Sequence, residues 1–127
     1  MSSNSLFEHG LVTRIPKPWG YELIWGKTDR YVGKVLHVNA GHSLSLQYHE
    51  MKDETLFVIR GRVQLDLQHG DEKRTVILEV GQAFHIPPGL IHRIEALEEA
   101  DIIEASTTEL DDVVRLEDRY GRVGAKP

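Results

Sequence analysis

Four residues have the donor atoms and the spacing to share one divalent ion: Gln47, His49, Glu54 and His92. Gln47 and His49 stand two apart, so on a strand both side chains leave the same face. A turn over 50–53 brings Glu54 back onto a neighbouring strand beside them. His92 follows the rigid Pro87-Pro88-Gly89 turn, at the start of a further strand. The set offers one amide oxygen, one carboxylate and two imidazoles, which suits Zn²⁺ and also admits Mn²⁺, Fe²⁺, Co²⁺ or Ni²⁺. The chain has no cysteine, so disulfides and thiolate sites are excluded. A single strand histidine is more often an ordinary satisfied or exposed residue than a ligand, and it is the convergence of four donors that carries weight.

The elements that must position these residues read as strands. Short runs rich in β-branched and aromatic residues, several with period-two alternation, fall at 20–25, 33–38, 42–48, 55–60, 62–67, 75–80, 83–86, 92–96 and 101–107. Gly, Pro, Asn and Asp punctuate them, with breaks at Gly41, Gly61, Gly81 and Pro87-Pro88-Gly89 and a hairpin loop over 68–74. So many short strands imply an all-β sandwich or barrel, and closure removes exposed sheet edges. The tail over 110–120 differs: Val113, Leu116 and Tyr120 have helix-like spacing, so one or two helical turns are expected there.

With 127 residues, 40% of them hydrophobic, the chain can build one core, and a single domain over 11–122 is expected. Residues 1–10 read as disordered or extended and 123–127 as frayed. A net charge of −5 with scattered basic residues gives no footprint for nucleic acid. No apolar run approaches the roughly 20 residues of a membrane span, and the first ten residues lack the zones of a secretory signal. A cytoplasmic protein with no membrane partner is the expectation.

The spacing resembles the cupin superfamily. Its first motif, Gly, five residues, His-x-His, three or four residues, Glu, six residues, Gly, falls on Gly41, Gln47-Tyr48-His49, Glu54 and Gly61, with Gln for the first His. The second motif is met by Gly81, Pro87-Pro88-Gly89 and His92, with Ala96 where Asn is usual. Leu44-Ser45-Leu46-Gln47, Lys17-Pro18-Trp19-Gly20 and the segment 111–122 narrow the resemblance to the type II phosphomannose isomerase domain of bifunctional mannose-1-phosphate guanylyltransferase/isomerase enzymes. The resemblance implies a double-stranded β-helix (jelly-roll barrel) with a short C-terminal helical or irregular tail. It implies one divalent metal ion, Zn²⁺ foremost, held by Gln47, His49, Glu54 and His92, and interconversion of mannose 6-phosphate and fructose 6-phosphate through an enediolate. A homodimer is implied as well. No Gly-rich nucleotide-binding region precedes the barrel, so guanylyl transfer is not expected of this chain.

Where the family carries an Arg important for isomerase activity, this chain has Lys52, the catalytic candidate, which keeps the charge but not the bidentate fork. Glu50 adds an anion near the site. Lys34 matches a basic position of the family and faces either the pocket or solvent; Arg122, folding back over the barrel mouth, is the second substrate-binding candidate for a sugar phosphate. Arg93 is expected to pair with Glu95 at the surface, His85 to line the pocket, His9 and His69 to be exposed, and the acidic pair Asp111-Asp112 to be solvated. Trp19, Trp25 and Phe57 read as core or dimer-interface aromatics. Two other readings stay open: another metal-dependent cupin enzyme, such as an oxygenase or a different sugar isomerase, and a non-catalytic carbohydrate-binding cupin.

Overall fold

Alternating side chains curl this chain into one nine-stranded sheet whose two longest strands run through both of its halves. The computed structural model describes residues 10–124; the expectations for 1–9, including His9, and for 125–127 lie outside the described residues. Nine strands follow in order: β1 (Thr13–Lys17), β2 (Gly20–Lys27), β3 (Val32–Val38), β4 (Leu46–Tyr48), β5 (Glu54–His69), β6 (Glu72–Glu79), β7 (Ala83–Ile86), β8 (Ile91–Ser106) and β9 (Val114–Glu117). The fold is an all-β cupin jelly roll. No helix among the described residues is long and apolar enough to cross a membrane.

All pairings between these strands are antiparallel. The C-terminal half of β8 lies between β3 and the start of β5, which in turn pairs with β7. The N-terminal half of β8 lies between β4 and the end of β5, which pairs with β6. Both long strands therefore pass from one half of the sheet to the other, and their mutual register slips between Val58 and Val63. Gly61, expected as a break between strands, sits inside β5 at this bend with φ +80. A Cβ there would collide with the Glu99 carbonyl oxygen, so only Gly permits the close approach.

The inward rows make the core: Leu36 and Val38 from β3, Leu56, Val58, Val63 and Leu65 from β5, and Ile94, Ala96, Ala100 and Ile102 from β8, with Trp19 beside them. Trp25 and Phe57 lie on the outside, 49% and 40% exposed, so of the three aromatics only Trp19 is core. The hairpin expected over 68–74 is tighter than a seven-residue loop: pairing continues to His69 and Glu72, leaving Gly70 and Asp71 as the turn. The tail holds no helix. Its residues instead form β9, which pairs with β4, Gln47 opposite Arg115 and Tyr48 opposite Val114. The pairing partner on β4 satisfies the tail backbone and overrides the local helix-like spacing.

Candidate metal centre

The inward rows change character at one end of the barrel. On β5 the row Leu56, Val58 is preceded by Glu54; on β8 the row Ile94, Ala96 is preceded by His92, and the row Ala100, Ile102 is followed by Glu104; on β3 the row Leu36, Val38 is preceded by Lys34. Period two thus carries four ionisable side chains into one buried region without any departure from strand geometry. His49, just after β4, and Lys52, in the following loop, join them and are also buried.

His49, Glu54 and His92 offer ligand atoms that all lie within 4.8 Å of one another. Nε2 of His49 is 3.3 Å and Nε2 of His92 is 3.5 Å from the same oxygen, Oε1 of Glu54. The other ring nitrogens are spoken for. His49 Nδ1–H donates to the Asp112 carbonyl oxygen at 2.6 Å, and His92 Nδ1–H to the Leu90 carbonyl oxygen at 2.9 Å. A carbonyl can only accept, so Nδ1 carries a proton in each ring and Nε2 is the atom that meets the Glu54 carboxylate. Protons on the two Nε2 atoms satisfy that carboxylate by hydrogen bonding, and a divalent ion that displaces them would take the same two nitrogens and oxygen, a donor set that fits it. The backbone hydrogen bonds that aim both rings are of the kind that orients metal-ligating histidines.

Gln47 lies on β4 directly opposite His92 and on the wall of a cavity at this end of the barrel. Its Oε1 accepts a hydrogen bond from the Ser45 hydroxyl at 2.6 Å, which leaves the oxygen a second lone pair. Glu54 does not reach the site from a strand beside Gln47: β5 pairs with β6, β7 and β8 and not with β4.

Lys52 bridges two carboxylates, with Nζ 3.1 Å from Glu54 Oε2 and 3.1 Å from Glu104 Oε2. Burial works against the ammonium, but Glu104 and Glu54 outweigh it and raise the Lys52 pKa above its ordinary value. Burial also works against the Glu54 carboxylate, yet hydrogen bonding from His49 and His92 and the charge of Lys52 hold it well below the usual range. Glu104 goes the other way: burial, followed by the Glu54 charge, pushes it up to about 7. Two carboxyls, each 3.1 Å from the same ammonium, thus shift in opposite directions, and only one of them meets the histidines.

The cavity wall includes Gln47, His49, Lys52, Lys34 and Arg122. Lys34 therefore faces the pocket rather than solvent, with Nζ 3.4 Å from Glu22. Arg122 is held by Asp118, which accepts from Nε at 2.9 Å and from Nη2 at 3.1 Å. Glu104, Lys17 and Arg115 also line this cavity. The sequence gives little sign of them: Glu104 follows Ile102-Ile103, where apolar residues on both faces hide the phase, and Lys17 is marked only by opening the Lys-Pro-Trp-Gly segment.

Other expectations are corrected. Glu50 is exposed and does not line the cavity. His85 points outward and pairs with Asp53 at 2.6 Å. Arg93 pairs with Asp66 and Glu117, each at 3.4 Å, while the partner of Glu95 is Arg119 at 3.9 Å. Asp112 is not a solvated charge: its carboxylate accepts the backbone N–H groups of Glu50, Met51 and Lys52.

With this geometry in view, comparison with known proteins is specific. Residues 4–118 match the family described as Mannose-6-phosphate isomerase C-terminal. The chain belongs to that family. Among its relatives, a mannose-1-phosphate guanylyltransferase of Escherichia coli K12 is 35% identical over 122 residues, and ManC, a mannose-1-phosphate guanylyltransferase of Salmonella typhimurium, is 34% identical over 122. Each alignment takes in 91% of this chain and 24% of the relative, so the chain spans about a quarter of the length of the curated relatives it matches. The alginate biosynthesis protein AlgA of Pseudomonas aeruginosa is 32% identical over 111 residues, covering 84% of this chain and 22% of that protein.

Solved structures share the fold. An RmlC-like cupin from Shewanella frigidimarina superposes with a TM-score of 0.68 at 14% identity, over 85% of this chain and 95% of that one. The capsular polysaccharide assembling protein CapF from Staphylococcus aureus gives 0.67 at 22% identity, over 84% of this chain and 34% of that one. At such identities the likeness speaks for the cupin barrel alone.

Proposed function

We propose that this cupin domain is a metal-dependent aldose-ketose isomerase of sugar phosphates, with mannose 6-phosphate and fructose 6-phosphate as the pair. The observation that carries the reading is the buried His49, Glu54 and His92 cluster adjoining a cavity lined by Lys34, Lys52 and Arg122. The family description, Mannose-6-phosphate isomerase C-terminal, supports the same reaction.

In this reading Gln47 Oε1 is the fourth ligand, and Zn²⁺ is the ion that best suits two imidazoles with oxygen donors. One carboxylate among neutral donors would leave a net positive charge, so an ion held there would supply a Lewis acid for the negative charge that develops on sugar oxygens in a reaction through an enediolate. The remaining chemistry falls to the chain. Glu104 is the buried carboxyl on the cavity wall that does not face the two histidines; it takes the proton from C2, exchanges it with solvent and delivers one to C1. Lys52 anchors Glu104 and adds positive charge beside the oxygens. Asp118 occupies two N–H donors of the Arg122 guanidinium, which leaves others for a phosphate, and Lys34 shares that task.

The test is interconversion of mannose 6-phosphate and fructose 6-phosphate by metal-replete protein. Turnover stopped by a chelator, restored by metal and lost in His49→Ala and His92→Ala is the expected result. Metal-replete protein inert towards mannose 6-phosphate would overturn it. Retained iron with oxygen uptake would then point to oxygenase chemistry, and saturable sugar binding without turnover to a non-catalytic module.

A further inference from the structure

One residue of the tail holds four consecutive residues at the centre. Asp112 Oδ1 accepts the Glu50 N–H at 3.0 Å, and its Oδ2 accepts those of Met51 at 2.7 Å and Lys52 at 2.9 Å. Its own carbonyl oxygen accepts His49 Nδ1–H at 2.6 Å. These four bonds tie the loop to a part of the chain some sixty residues on. Successive N–H groups of a turn form a concavity for an anion, and here the chain supplies that anion itself.

We infer that Asp112 is a positioning residue of the metal centre. Two separate groups of the residue act on two separate members of the site. The carbonyl fixes the tautomer and plane of the His49 ring, so that Nε2 and not Nδ1 meets Glu54 and His92. The carboxylate fixes the backbone of 50–52, which sets where the Lys52 side chain starts and hence its reach to Glu54 and Glu104. The β9 pairing with β4 extends the same tie, because Arg115 stands opposite Gln47 and Val114 opposite Tyr48. The tail thus registers the ligand strand and the ligand loop together. This inference rests on the metal reading above but not on the isomerase assignment.

The experiment is Zn²⁺ affinity by competition with a chromogenic chelator, on the full chain, at a temperature where circular dichroism shows every variant folded. Asp112→Ala is expected to weaken Zn²⁺ binding about 10- to 100-fold, the range typical of groups that orient ligands. Asp112→Asn keeps one side-chain oxygen for three N–H donors and falls between that variant and the wild type; it carries the test if the alanine variant does not fold. Asp71→Ala, a charge removed from the exposed β5–β6 turn, binds as wild type does. Wild-type affinity in either folded Asp112 variant overturns the inference alone, whereas failure of the wild-type chain to bind Zn²⁺ overturns the metal reading and this inference with it. Loss of isomerase activity with these affinities intact bears only on the reaction.

Discussion

The ammonium of Lys52 lies 3.1 Å from Glu104 Oε2, and both side chains are only 6% exposed. The same ammonium lies 3.1 Å from Glu54 Oε2, so one buried cation serves two buried carboxyls. A buried pair of this kind is costly to break from one side, because the remaining charge stays in the interior. Lys52→Met is therefore expected to destabilise the fold by about 3–5 kcal/mol. Adding Glu104→Gln removes the stranded charge and should recover about 1 kcal/mol or more of that loss. Urea denaturation of the two single variants and the double variant measures the coupling. Additive losses would show that the pair does not interact.

Glu104→Gln by itself separates chemistry from metal binding. The amide keeps the shape of the carboxyl but cannot cycle a proton, so turnover should fall about 10²- to 10⁴-fold. Metal content, read by elemental analysis, should stay at the wild-type level, since Glu104 is not in the ligand cluster. A variant that turns over normally would remove Glu104 from the proposed reaction.

The proposed ligands should be unequal. His49 and His92 are fully inside the barrel and aimed by backbone carbonyls, so substitution of either by Ala should weaken metal binding by more than about 100-fold. Gln47 is half-buried and its oxygen is shared with Ser45, so Gln47→Ala should cost less. Equal losses in an equilibrium dialysis series would show that Gln47 ranks with the histidines.

Acid should release the tail in a defined window. Burial opposes the Asp118 carboxylate, but hydrogen bonds and charge from Arg122 win and hold its pKa below the ordinary aspartate value of 3.8. A depressed folded pKa means that the stabilisation is fully present above about 3.8 and disappears as pH falls through the lower folded value. Asp118→Asn should therefore be less stable than wild type at pH 7, and the gap in urea midpoint should narrow below pH 4. A gap unchanged down to pH 2.5 would show that Asp118 contributes through shape and not through charge.

The candidate triad of His49, Glu54 and His92 was legible because its signals are local. Period two places His49 near Gln47, the Pro-Pro-Gly turn fixes where β8 starts, and Gly61 recurs at a set distance from Glu54. What escaped depends on distant partners. Asp111-Asp112 looks like any wet acidic pair until the amides of 50–52 are brought to it across the fold. Val113, Leu116 and Tyr120 keep helix-like spacing in a segment whose conformation is decided by pairing with β4. Gly61 marked an irregularity correctly, but whether the chain turns or bends there is settled by Glu99 on the neighbouring strand. Arg93 alternates with His92 as expected, yet its partner is chosen by β5 and the tail and not by its own strand.

The most direct test of a metal centre serving proton transfer between neighbouring carbons is solvent label exchange. Mannose 6-phosphate is incubated in D₂O with metal-replete protein and with the same protein stripped by a chelator, and the products are read by NMR. The account predicts deuterium at C1 of fructose 6-phosphate and at C2 of recovered mannose 6-phosphate, with metal and not without. Protein loaded with one equivalent of metal that puts no deuterium into either sugar, or that isomerises equally well when stripped, would contradict it.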